Sequence, residues 1–154
     1  MIASSTLAMR VGGAGVVQVG VSFSWLGMVL AISFLETPLK FRAPGITAPL
    51  GLGIGRLVFR ALTAAELALA VALTAALALD KRGGVVAVVV VGLLWLMLVA
   101  QVSVLRPRLD RGRIVVARGT PPRSRLHLAY VALDALKVVT LPVLGSVLVI
   151  GIAS

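Results

Sequence analysis

Four apolar blocks divide this chain of 154 residues. Each is about the length an α-helix needs to cross the roughly 30 Å hydrocarbon core of a bilayer. They run over about 16–35, 51–79, 85–105 and 127–153 and leave no room between them for a separate soluble domain. Hydrophobic residues make up 60% of the chain, above the roughly 45–50% typical of soluble domains, whose surfaces must face water. The spacing predicts an all-α fold: an integral membrane four-helix bundle occupying 1–154 as a single transmembrane domain. The valine run 88–91 has high β-propensity in water. In lipid a lone strand cannot satisfy its own backbone, so helix is expected there.

The connections have distinct characters. Residues 1–15 are small and glycine-rich, and are expected to be loosely ordered. A cleaved signal peptide is the competing reading of this end, but the first block exceeds the usual apolar length of about 7–15 residues and no A-x-A site closes it. The segment 36–56 contains Pro38, Pro44 and Pro49 and reads as a Pro/Gly-rich loop whose end begins the second helix. DKRGG at 80–84 is a tight turn, and 106–126 is an arginine-rich polar connection.

Charge orients this scheme. The formal net charge is +10, from 15 Lys+Arg against 5 Asp+Glu. Lys40, Arg42 and Arg56 lie in the first loop, and Arg106, Arg108, Arg111, Arg113, Arg118, Arg123 and Arg125 in the third, against Arg10, Lys81 and Arg82 on the other side. Basic loops favour the cytoplasm, so both long loops are expected inside and both termini outside, in a multi-pass cell membrane protein, most simply of a bacterial inner membrane. The stretch Arg106–Arg125 is expected to meet anionic lipid headgroups rather than nucleic acid.

Cysteine is absent, which removes disulfides, thiolate metal sites and CxxCH haem attachment. A single histidine excludes bis-histidine haem within one chain, and no ExxH pair suits a bundle di-iron site. No cofactor and no metal are expected. His127 and Asp134 are seven residues apart on one helix, about 10 Å, too far for a triad with Ser22 or Ser33.

Small residues suggest packing seams. Ala64, Ala68, Ala72 and Ala76 repeat every four residues, Gly51 and Gly55 form a GxxxG, and Ser24, Gly27 and Ala31 line part of the first helix. In lipid such residues let helices approach closely. Packing within the chain is the first expectation, and a homo-oligomer through the alanine stripe the alternative.

The chemistry lies in ionisable residues inside the spans. A charge at mid-span costs roughly 2.5–3.5 kcal/mol on insertion scales, so these groups should point into the bundle. On the last helix His127, Tyr130, Asp134 and Lys137 fall within an arc of about 80°. Asp134 and Lys137 are three apart and able to pair. Glu66 lies on the second helix with Thr63 beside it, while Arg60 points about 120° away and would need another partner. Glu36 and Lys40 are four apart at the end of the first helix, and Gln101 could supply a fourth wall. Asp134, Lys137, His127, Tyr130, Glu66, Glu36 and Arg60 are therefore the candidate site for an ion or small polar solute. Ion pairs that merely set helix register remain the alternative.

Two family resemblances accompany these residues. SWLGMVLAISF, FRAPGITAPLGLGIGRLVF and RLHLAYVALD resemble segments of the small four-helix membrane proteins of unknown function, transmembrane-protein-205-like. That family carries a neutral amide seven residues after the histidine; Asp134 stands there in this chain. The resemblance implies four helices and a role in the membrane, with no settled activity. RLVFRALTAAE is similar to the Arg-Ala-x-x-Asn-x-x-Glu signature of membrane-associated eicosanoid and glutathione enzymes, but Thr63 and Ala64 stand near the expected asparagine and the Arg60–Glu66 spacing is one residue short. The function classes left open are binding or translocation of a small polar solute or ion, a non-catalytic subunit of a membrane complex, and a glutathione-transferase-like membrane enzyme acting on a lipophilic substrate.

Overall fold

The computed structural model describes residues 2–81, 83–105 and 125–153. No strand occurs among them. Among the described residues four helices are long and apolar enough to cross a membrane, with spans Gly13–Lys40, Pro49–Leu79, Gly84–Ser103 and Leu128–Gly151. This is the architecture of a multi-pass membrane protein.

Helix α1 covers 2–40 as three joined segments, α-helical Ile2–Val29, π-helical Leu30–Glu36 and α-helical Thr37–Lys40. The N-terminal residues are thus helical, where loose order was expected. No proline precedes Pro38, and Leu7, Ala8, Met9 and Arg10 are strong helix formers that carry the helix through Gly12, Gly13 and Gly15. The widened π segment lies just ahead of Pro38, which has no N–H to donate to the preceding turn. The Thr37 hydroxyl donates instead to the Ile32 carbonyl at 3.1 Å. The helix passes through Pro38, so the connection shrinks from 36–56 to 41–47.

Helix α2 is Ala48–Leu79. Thr47 caps it by accepting from Leu50 N at 3.5 Å, and Pro49 sits in the first turn, where its missing N–H costs nothing. After α2 the chain reverses at Gly83, whose φ is 78°. A Cβ there would lie 2.9 Å from Ala87 Cβ, so glycine is required on both counts. Helix α3 covers 84–105, α-helical over Gly84–Val99 and π-helical over Ala100–Leu105. Helix α4 is Arg125–Ala153 and contains Pro142.

The four helices form a four-sided bundle. Helix α1 packs on α4 and α2, and α3 packs on the same two. The core is built from Trp25, Val29, Ala70, Leu73, Ala87, Leu94, Leu98, Leu141, Leu144 and Leu148. Large apolar side chains such as Leu57, Leu79, Val85, Leu96 and Ile150 point outward, as a lipid-facing surface requires.

The small-residue seams differ from expectation. Ala64 and Ala68 are exposed, Ala72 is half-buried and Ala76 is buried. Four residues turn a helix about 40° past one full circle, so the stripe winds from outside to inside instead of holding one face. Ser24, Gly27 and Ala31 are likewise exposed. Gly51 and Gly55 are buried, against the ring of Phe41 and the ammonium end of Lys40.

Candidate functional site: a charge cluster shared by four helices

Ionisable groups from two spans meet a glutamine from a third inside the bundle. Lys137 on α4 is 0% exposed, Glu66 on α2 and Asp134 on α4 are each 1% exposed, and Gln101 on α3 is 2% exposed. Lys137 Nζ lies 2.6 Å from Glu66 Oε1 and 3.4 Å from Asp134 Oδ1. It also donates to Gln101 Oε1. Gln101 turns its amide nitrogen the other way and donates to Asp134 Oδ1 at 2.7 Å. Asp134 Oδ2 accepts from Ser33 Oγ of α1 at 2.7 Å, and Glu66 Oε1 accepts from Trp25 Nε1 of α1 at 2.9 Å. Every helix contributes at least one group.

Packing explains why the lysine is central. Helices α2 and α4 occupy opposite corners, so only a long side chain carries charge between them; Lys137 does so, and its aliphatic stem fills the space it crosses. Its three ammonium protons have three acceptors. Burial of a charge in so apolar a setting is tolerable only when it is paired and hydrogen-bonded in this way.

Two of the uncharged partners come from the π-helical segments. Ser33 lies in Leu30–Glu36 and Gln101 in Ala100–Leu105. A π segment inserts an extra residue per turn and so rotates the following face of the helix. Such segments recur at functional sites, and here both supply hydrogen bonds to Asp134.

The remaining candidates fall around this centre. Glu36 pairs with Lys40 at 3.2 Å, at the loop end of α1 and apart from the cluster. Tyr130 is buried edge-on against Phe59, with ring centroids 5.6 Å apart and planes at 82°. Lys40 Nζ sits 5.7 Å from the Phe59 centroid, so the aromatic pair lies between the Glu36–Lys40 pair and Asp134. Arg60 is exposed and is not among the groups of the cluster. Thr63 is buried but donates to its own helix at Phe59 O, 2.9 Å. The His127 side chain lies outside the described residues, as do the arginines of 106–124, Arg82 and the side chain of Arg10.

Reading the spans for ionisable groups overlooks Trp25 and Ser33 as partners. Both are uncharged polar groups in an apolar block, and the signal available was that a span residue with a hydrogen-bonding tip requires a mate in lipid. The same signal marks Gln18. Its amide nitrogen donates to Ala76 O at 2.9 Å, in the last turn of α2, and to Asp80 O at 2.7 Å, just beyond its end.

No protein-family model, no curated protein and no solved structure matches this chain. The cluster must be read from its own geometry. Two carboxylates surround one ammonium, so the fully ionised set would carry one uncompensated negative charge. Among the described residues no three His, Cys, Asp or Glu side chains converge as metal ligands.

Proposed function

We propose that this protein binds and translocates a small cation across its membrane, most simply a proton, through the Glu66–Lys137–Asp134 cluster. The observation that carries this reading is the charge count at a site buried from all sides: Lys137 compensates only one of the two carboxylates it touches. A lone buried charge is expensive in hydrocarbon. A mobile positive charge would offset it, and the ammonium already occupies the point where oxygens of Glu66, Gln101 and Asp134 converge. That leaves little room for a coordinated metal ion and favours a proton carried on a carboxylate oxygen. The basic loops support an orientation with both termini outside and the Glu36–Lys40 end of the bundle facing the cytoplasm, as in a bacterial inner membrane, with Arg106–Arg125 on anionic headgroups.

One observation favours a second reading, in which the cluster is an internal staple of a non-catalytic membrane subunit. All three Lys137 protons are already taken by protein acceptors. The two readings separate in liposomes holding the purified protein and a pH-sensitive dye, with a potassium diffusion potential as driving force. The transport reading expects acidification above that of empty liposomes and a loss of at least about tenfold in Asp134→Asn and Glu66→Gln. Wild-type protein no faster than empty liposomes would overturn it in favour of the staple.

A further inference from the structure

The far half of the bundle, between the cluster and the α2–α3 turn, is lined by Leu73, Leu77, Ala87, Val91, Leu144 and Leu148. Within this apolar half, α1 presents two buried polar side chains, Gln18 and Ser22, each 0% exposed. The orientation of the Gln18 amide is dictated by its neighbours. Ala76 O and Asp80 O are both acceptors, so the NH2 group must face them and the carbonyl must point the other way. That carbonyl oxygen, Gln18 Oε1, is buried and receives no hydrogen bond among the described residues. Ser22 Oγ spends its proton on Gln18 O at 2.8 Å and keeps its lone pairs free to accept. A buried acceptor left dry costs on the order of 1–3 kcal/mol, and such groups are ordinarily met by an internal water.

The placement of this pair gives it a direction. Gln18, Ser22 and Trp25 follow at the i, i+4, i+7 spacing of one helix face. Trp25 bonds Glu66. Ser22 is three residues, about 4.5 Å along the axis, from Trp25, which is within the reach of one or two waters. On the opposite side of the cluster, Ser33 and then Glu36 and Lys40 continue the same helix toward the loop end.

We propose that Gln18 and Ser22 hold buried water, and that this hydrated step joins the α2–α3 turn to Glu66 as one leg of the proton path. The water site stands on Gln18 alone; its use as a path rests on the transport reading above. The groups facing it are Ser22 and Trp25 on α1 and the carbonyls of Ala76 and Asp80, with Leu144 and Leu148 on α4 and Ala87 and Val91 on α3 lining the same apolar half. Glu66 is the titratable group toward which it leads.

The chain has only two glutamines, Gln18 and Gln101, so glutamine labelled with 13C and 15N gives two side-chain signals in solid-state NMR of the full protein in lipid. Gln101→Leu assigns them by loss of one. In water-edited spectra the Gln18 signal should gain magnetisation from water at short mixing times. A Gln18 signal that gains no magnetisation from water at short mixing times would overturn the proposal whatever the cluster does. In the liposome assay, Ser22→Ala removes a bond within its own helix together with the acceptor offered to the water, and should leave the protein folded while slowing flux about tenfold. Unaltered flux in Ser22→Ala, alongside its loss in Glu66→Gln, would sink the path while leaving the transport reading intact. Absence of flux in the wild type would sink both.

Discussion

Replacing Lys137 with methionine keeps most of the stem that fills the space between α2 and α4 and removes only the charge that Glu66 and Asp134 share. At the observed separations of 2.6 and 3.4 Å, an effective dielectric of about 20 gives attractions of roughly 6 and 5 kcal/mol. Most of that offsets the cost of holding the ions away from water, and breaking a buried pair by deleting one partner leaves a net loss of about 3–5 kcal/mol. Lys137→Met also strands Gln101 Oε1, which accepts from the ammonium in the native protein and should place the loss at the upper end of that range. The assay is reversible unfolding in mixed micelles, titrating a denaturing detergent and following helicity. The triple variant Lys137→Met, Glu66→Gln, Asp134→Asn has no stranded charge and should recover most of the loss. A Lys137→Met protein within about 1 kcal/mol of wild type would refute the reasoning, because the ammonium would then not be compensating buried carboxylates.

Trp25→Phe deletes the indole N–H that donates to Glu66 at 2.9 Å; a bond to an ionised group is worth about 1.5–3 kcal/mol, and the same unfolding titration should register a loss of that size. Gly83→Ala places a Cβ at a backbone φ of 78° and 2.9 Å from Ala87, so it should cost at least about 1–2 kcal/mol from the left-handed strain alone; an unchanged midpoint would contradict the turn geometry. Arg60→Ala, at an exposed position outside the cluster, should alter unfolding by less than about 0.5 kcal/mol, in contrast to any cluster residue. The chain has no cysteine of its own, so Ala43→Cys and Lys81→Cys are clean topology reporters. An impermeant maleimide applied from outside should label position 81 and not position 43, and the reverse pattern would invert the orientation read from the basic loops.

Much of the architecture was legible in the chain itself. A block of twenty apolar residues has one way to satisfy its backbone in hydrocarbon, and that requirement acts locally, so four spans can be counted without knowing their neighbours. The three-residue spacing of Asp134 and Lys137 likewise placed both on one face within reach of each other, and they lie 3.4 Å apart. Helix ends were less legible. Pro38 reads as a terminator, yet the widened π turn before it lets α1 run on to Lys40, a solution that depends on the Thr37 hydroxyl as well as the backbone.

What the sequence by itself determined is the kind of solvent this chain requires and the inward aim of Asp134 and Lys137, because both follow from transfer free energies that each residue carries with it. Which charges meet was decided only by tertiary structure. Glu66 and Lys137 are 71 positions apart and sit on opposite corners of the bundle, Ser33 reaches Asp134 because a π segment turns it there, and Arg60, equally charged, is left outside. Periodicity specifies the direction of a side chain around its own helix, but the rotation and height of one helix against another come from packing, and pairwise contact depends on both.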